Sequence, residues 1–504
     1  MKNQAYFKMN FVKKMITVIL VILSFQGLYP QGKSNKPNIL FVLSDQWRRQ
    51  AMGFVNEDPV ITPHLDDFAK EAVFLKNAVT NRPICTPSRA TIFTGQYPQK
   101  HGVFGNSVRL STKSITLGDI VKKDGYQTAY IGKLHLDGKR EGFVPKERRH
   151  GFDYWITSLH HNPFKQTYFV QDNQTPQVIR NSWEPDWITD QALNYLDSAK
   201  KDKPFCMVLS YGPPHTGGGK GFEDRNQPGK RYKGEVKYGY GYAAPEKWEK
   251  LYPDPENLPR RKNVKPIGKP GDNSWNVLPG YFGAISSIDE NFGRIINYLK
   301  EHKLFDNTIV VFTSDHGEML GSHGKMTKGI WYEESVGIPC LISYKSMVNP
   351  AVISNPFSTV DMTPTILGLA GIKVPDSMDG VNFSPTLKGK EQMLPDKVYC
   401  SFDQGSPSEN DRAWRAVYTE QYTYVLVKKK YMVNGIKDDT ILYDKKNDPY
   451  QLNPIYKGMG YDKVINELHK ALLTHLNETN DPFIKLQWKT GNEPKYIYSD
   501  AEKK

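Results

Sequence analysis

Four short apolar runs, each closing on polar or charged residues, do most to limit what this chain can fold into. Ile39 to Leu43 runs into Ser44, Asp45 and Gln46; Tyr126 to Ile131 leads to Lys133 and His135; Phe205 to Leu209 leads to His215; Ile309 to Phe312 ends in Asp315 and His316. Three of these runs are unbroken, which suits strands buried on both faces, the condition of a parallel sheet covered by helices; the one leading to Lys133 holds Gln127 and Thr128 and reads as another short strand. Helical periodicity lies between them, in Leu65, Phe68, Ala69, Ala72 and Val73 after Thr62 and Pro63, and in Ile285, Ile288, Phe292, Ile295, Ile296 and Leu299. The alternation predicts an α/β fold with a mostly parallel sheet flanked by helices. Ligands of such sheets bind beyond the carboxyl ends of the strands, so the residues closing the four runs are expected to meet. One Asp after a strand is more often a helix cap, but four loaded strand ends are hard to explain as caps.

Beyond about Pro395 the texture changes to alternating, Tyr-rich segments such as Trp414 to Val427, then Leu442 to Pro449 and a helical stretch from Val464 to Leu476. A smaller antiparallel sheet is predicted there, giving units over 36–390 and 395–485 and a Lys-rich tail over 486–504. Between Thr216 and Asn276 the chain is rich in Gly, Pro, Lys and Tyr with little periodicity, and reads as an insertion near the site. At the start, Lys13 and Lys14 precede an apolar stretch from Met15 to Phe25 and then polar residues. This is the pattern of a cleavable secretory signal over 1–31, too short to span a bilayer, which takes about 20 residues. The expectation is an exported protein, periplasmic or secreted, without a stable membrane anchor.

The formal charge is +13. Lys2, Lys8, Lys13 and Lys14 belong to the leader, which has no acid, so 13 − 4 leaves +9 for the mature chain. An exported basic protein suits polyanionic ligands as readily as it suits a solvated surface. Four cysteines, Cys85, Cys206, Cys340 and Cys400, do not make a disulfide framework, and Cys206 and Cys340 fall in apolar runs that suit buried thiols.

The remaining feature is the string Pro83 to Gly95, with Cys85, Pro87, Ser88 and Arg89 followed by Thr94 and Gly95. Pro87 suits a first helical turn, where unpaired backbone N–H groups favour an anion, so Cys85 is placed where a loop becomes a helix. A lone Cys in such a place is ordinarily a structural thiol. The flanked string, however, resembles the signature of the type I sulfatases, in which this Cys is oxidised to Cα-formylglycine by a maturation enzyme. Gly132, Lys133, Leu134 and His135 resemble that family's second signature.

The resemblance spans roughly Lys36 to Pro385 and implies an alkaline-phosphatase-like fold and hydrolysis of sulfate esters. It implies one calcium ion held by Asp45, Gln46, Asp315, His316 and the formylglycine at 85. Many members have a second Asp where this chain has Gln46, and the nitrogen of His316 is atypical for a cation that prefers oxygen. Arg89, Lys133, His135, His215 and Lys328 map onto residues that bind sulfate, activate the formylglycine or protonate the leaving oxygen; Lys325 competes with Lys328 for its assignment. The hydrated aldehyde would attack sulfur, His215 would protonate the leaving alcohol, and His135 would serve the later release of sulfate. The implied substrate is a sulfated polysaccharide or oligosaccharide, of an algal type such as ulvan or carrageenan, with no nucleic-acid partner. Two rivals stay open at this point: a phosphonate or phosphate ester hydrolase of the same superfamily, and a sugar-sulfate binding protein whose Cys85 is never oxidised.

Overall fold

The computed structural model describes residues 36–138, 143–158, 165–180, 182–216, 241–266, 275–403, 413–428 and 438–483. The leader 1–31, most of the Thr216 to Asn276 insertion (217–240 and 267–274) and the tail 486–504 lie outside the described residues.

Twelve strands precede the C-terminal region: β1 (Asn38–Asp45), β2 (Val73–Leu75), β3 (Ala78–Val79), β4 (Gln127–Lys133), β5 (Tyr154–Ser158), β6 (Lys165–Val170), β7 (Gln177–Arg180), β8 (Phe205–Pro214), β9 (Thr308–Ser314), β10 (Cys340–Ser343), β11 (Ala351–Ile353) and β12 (Phe357–Ser358). Ten of them form one sheet in the order β11-β2-β10-β9-β1-β8-β4-β5-β6-β7, and β3 pairs with β12 apart. The central strands β9, β1, β8, β4 and β5 are parallel. β10 and β6 run against their neighbours.

Two-sided burial follows from the alternation of side chains along each central strand. On β1, Ile39, Phe41 and Leu43 enter a core with Ala90, Ile92 and Phe93 of the helix Cys85–Thr94, and with Leu117 and Val121 of Leu117–Lys123 and Ile366 of Met362–Leu369. Leu40 and Val42 point the other way, against Ile188 and Ala192 of the helix Glu184–Ser198 and Ile285, Ile288 and Phe292 of the helix Leu278–Glu301. The result is a three-layer α/β/α sandwich.

The helix expected after Thr62 spans Pro63–Ala69, and Val73 opens β2 instead of continuing it. Its first N–H groups are capped from another element: Asp289 of the long helix accepts from His64 N (3.0 Å) and Leu65 N (2.7 Å). Thr62 Oγ1 instead accepts from Gly53 N and donates to Asp66.

The C-terminal region is a four-stranded antiparallel sheet of β13 (Lys397–Asp403), β14 (Ala413–Thr419), β15 (Tyr422–Val427) and β16 (Thr440–Asp444). One face packs on the helix Asp462–Glu478 through Val417, Tyr424, Leu426, Leu468 and Leu472. The other packs Val398, Trp414, Ala416 and Val425 against Ile330, Trp331, Tyr332 and Val336 of the main unit.

Candidate active site

Because β1, β4, β8 and β9 are parallel, their carboxyl ends share one edge of the sheet, and the side chains closing them converge there. Gly132 allows β4 to approach β8: its φ is +110°, and a Cβ would stand 2.0 Å from Ser210 O. Lys133, the next residue, reaches Asp45 with its Nζ. Arg89, wholly buried, sits on the Cys85 helix below them. Its Nε donates to Asp315 Oδ2 (2.9 Å), its Nη2 to Asp45 Oδ2 (3.2 Å), and its Nη1 to Lys133 O (3.0 Å) and Ser210 Oγ (2.8 Å). One guanidinium thus ties together β1, β4, β8 and the turn after β9.

Cys85 is the first residue of its helix and is buried. The Thr86 N–H is taken by Asn106 Oδ1 (3.1 Å), so not every N–H of this helix start is open to an anion. The Cys85 sulfur lies 3.2 Å from His316 Nε2 and 3.8 Å from Asp45 Oδ1, and His135 and His215 also interact with it. Burial alone would raise this thiol, but Lys133, Lys328 and His316 outweigh it and hold it well below the ordinary thiol value. Asp45 is likewise held low, burial and the Cys85 charge being outweighed chiefly by the Lys133 and Arg89 cations. Its neighbour Asp315 is pushed up to about 6 by burial and by Asp45. Burial lowers His135, and burial with Lys328 lowers His215, so both rings rest neutral.

Asp45, Cys85, Asp315 and His316, all buried, present ligand atoms within 4.8 Å of one another. His316 Nδ1 faces Gly317 O (2.9 Å), a carbonyl that only accepts, so Nδ1 carries a proton and Nε2 points into the group; burial lowers this ring, but Asp315 and Cys85 outweigh it and raise it, so a cation would take the place of the Nε2 proton. Two buried carboxylates, one of them displaced upward by burial and by the other, and an imidazole with its Nε2 aimed inward fit a divalent cation.

Lys328 and His215 close the other side: Lys328 Nζ lies 2.9 Å from His215 Nε2 and also donates to Gln46 Oε1. It is this lysine and not Lys325 that makes these bonds.

The family model for sulfatases matches residues 37–372, and a second, for the C-terminal part of N-sulphoglucosamine sulphohydrolase, matches 321–478. This chain is a sulfatase of the alkaline phosphatase superfamily. The sulfatase is 34% identical over 505 residues to an ulvan-active sulfatase of Formosa agariphila, covering 96% of this chain and 91% of the relative. It is 29% identical over 506 residues to an endo-4-O-sulfatase of Bacteroides thetaiotaomicron, covering 90% and 94%. A solved structure of a putative sulfatase, yidJ, of Bacteroides fragilis superposes with a TM-score of 0.77 at 31% identity, covering 91% of this chain and 99% of that one.

Three groups that shape this sulfatase's site are not legible in its strand ends. Ser210 Oγ takes the Arg89 bond from within β8. Glu318 accepts from Gln46 Nε2 at 2.5 Å, and Tyr242 OH accepts from the same nitrogen at 2.9 Å. Glu318 lies two residues after His316, where a carboxylate before the apolar Met319 and Leu320 is the one available signal; Tyr242 belongs to the insertion and has none.

Proposed function

We propose that this sulfatase hydrolyses a sulfate monoester on a sugar of a polysaccharide or oligosaccharide of the ulvan class, with Cys85 matured to formylglycine and one calcium ion bound. The observation that carries the substrate class is the similarity to an ulvan-active sulfatase across 96% of the chain; the basic charge of the mature chain agrees with a polyanion. Formylglycine at position 85 would supply a nucleophilic hydroxyl and a means of releasing sulfate without a second attack on sulfur. Calcium would be held by Asp45, Gln46, Asp315, His316 and position 85, and would supply charge that favours the ionised hydroxyl. Conversion of Cys85 exchanges sulfur for oxygen in that set, which brings it closer to what calcium prefers.

The chain's own groups divide the rest. Arg89, Lys133 and Lys328 offset charge on the sulfate oxygens as it redistributes in the transition state. His215 hands a proton to the departing sugar oxygen, and the Lys328 ammonium beside its Nε2 is the neighbouring proton source. His135, resting neutral, accepts a proton when sulfate is released. The enzyme is exported, the leader 1–31 being removed from a catalytic unit 36–390 and a C-terminal unit 395–485. No helix among the described residues is long and apolar enough to cross a membrane.

The test is hydrolysis of ulvan-derived and other sulfated oligosaccharides beside an aryl sulfate and an aryl phosphate, with mass analysis of the peptide containing residue 85. Sulfate release from the ulvan fragments by protein carrying an aldehyde at 85 is the expected result. Faster turnover of the phosphate would move the enzyme to phosphorus chemistry, and full activity with an unmodified thiol would remove the formylglycine mechanism. Binding of sulfated sugar without turnover by aldehyde-bearing protein would exclude the hydrolytic reading.

A further inference from the structure

Lys328 reaches the site from a loop, yet its ammonium is fixed between two acceptors. What fixes them lies one step further from Cys85. Glu318 is completely buried, and among the described residues the hydrogen-bonding partners of its carboxylate are donors. Oε1 accepts from Leu320 N (2.9 Å) and Thr327 N (2.6 Å); Oε2 accepts from Gln46 Nε2 (2.5 Å); the Tyr242 hydroxyl adds a further bond. Leu320 and Thr327 both hold left-handed backbone conformations (φ 43° and 67°), and Met319 N donates to Thr327 O at 2.7 Å. The carboxylate therefore pinches the two ends of the 319–327 loop together and delivers Lys328 at its exit.

The second oxygen has a different consequence. A carboxamide has one donor end and one acceptor end, and a carboxylate only accepts. With Glu318 facing it, the Gln46 amide must turn its NH2 inward and its Oε1 outward, toward Lys328 Nζ. Lys328, which only donates, then requires the lone pair of His215 Nε2. The His215 proton accordingly sits on Nδ1, against Thr216 O at 2.8 Å. A single polarity runs through the four side chains.

We infer that Glu318 is a positioning residue, which sets the orientation of the Gln46 amide and through it the aim of Lys328 at His215. The inference rests on the proposed roles of Lys328 and His215. In Glu318→Gln the two backbone N–H groups claim the new amide oxygen, so its NH2 confronts Gln46 Nε2. The Gln46 amide flips, and a donor faces Lys328. In Gln46→Glu two carboxylates face each other. The double variant Gln46→Glu/Glu318→Gln reverses the polarity of the first bond and restores every hydrogen bond, including an acceptor for Lys328.

The experiment measures kcat and KM on an aryl sulfate, the inhibition constant of inorganic sulfate, bound calcium and the thermal midpoint for the wild type, both single variants and the swap. Each single variant should lose about 10- to 100-fold in kcat/KM, the usual scale for outer partners of a site, and bind sulfate several-fold more weakly. The swap should recover most of both losses, with bound calcium read beside them because Gln46 is also a proposed ligand of the ion. A loss of packing alone would not be recovered by exchanging the two functional groups. A swap that stays as poor as the worse single variant, or that fails to fold, overturns the inference, as does wild-type activity in Glu318→Gln. Should Glu318→Gln alone fail to fold, the folded swap compared with Gln46→Glu still decides. A wild type carrying the aldehyde at 85 but inert toward the aryl sulfate would instead count against the functional reading, leaving sulfate affinity to test the positioning role.

Discussion

His215 and His135 both reach Cys85, and the leaving group separates their proposed roles. A sugar alkoxide departs poorly without a proton, whereas a phenolate needs little help. His215→Ala should therefore be severe on a sugar sulfate and mild on an activated aryl sulfate. His135→Ala should instead depress both alike and let a sulfated enzyme accumulate, because attack proceeds while release stalls. Intact-mass detection of the adduct beside steady-state rates checks both, and equal losses for His215→Ala would pass the acid role to Lys328, 2.9 Å away. The carboxylates make a second prediction. Asp315→Ala removes a partner of Arg89 as well as a proposed metal ligand, so turnover should fall by at least the ~10²–10³ typical of a lost electrostatic stabiliser, with less bound metal by elemental analysis. Asp45, Lys133, Asp315 and His316 were legible because a buried strand can end in only one place. The orientation of the Gln46 amide was not, because it depends on a carboxylate and a phenol brought in by separate loops.

At the scale of elements, the C-terminal sheet acts as a prop for the segment that follows Lys328. Trp414 Nε1 donates to Gly329 O at 3.1 Å and Tyr418 OH donates to Trp331 O at 2.6 Å, both from β14. Gly329 has a φ of +94°, and a Cβ there would press on the Phe402 ring at 2.9 Å, so the sheet and the segment fit each other closely. Tyr418→Phe removes the hydrogen bond to the Trp331 carbonyl, at a cost of about 1 kcal/mol. It should lower the thermal midpoint and also raise KM for the sulfate ester, whereas a cavity on the face toward Asp462–Glu478, as in Leu472→Ala, should lower the midpoint, and by more, while leaving KM alone. Equal effects on KM would show that the sheet supports the fold without aiming Lys328. The long parallel strands and the hairpin between Trp414 and Val427 were readable from apolar runs and alternation. β2, β10 and β11, of three or four residues each, were not: too short to show a period, they owe their place to neighbours already in the sheet.

For the molecule as a whole, Glu333 joins the two units. It is buried at their boundary, 2.6 Å from Arg49 Nη2 of the main unit and 3.3 Å from Lys445 Nζ, just past β16. Burial raises this carboxyl, but Lys445 and Arg49 outweigh it and hold it at about 2, against an ordinary 4.5. A depressed carboxyl binds its proton more readily in the unfolded chain. Its contribution is therefore complete above about pH 4.5 and is lost as pH falls toward about 2, amounting to at most about 3 kcal/mol. Lys445 offsets part of that, since burial holds it below its ordinary value. Glu184, pushed up to about 8, and Asp361, pushed up to about 6, both by burial, act with the opposite sign, weakening the fold as pH rises from about 4 toward those values. Their effects overlap in the wild type but cancel when it is compared with Glu333→Gln. The thermal midpoint of the variant should lie well below that of the wild type at pH 6, and the gap should shrink steadily as pH falls below about 4.5. A gap that stays constant down to pH 3 would mean that the Glu333 charge contributes nothing to holding the units together and that the apolar boundary does so by itself.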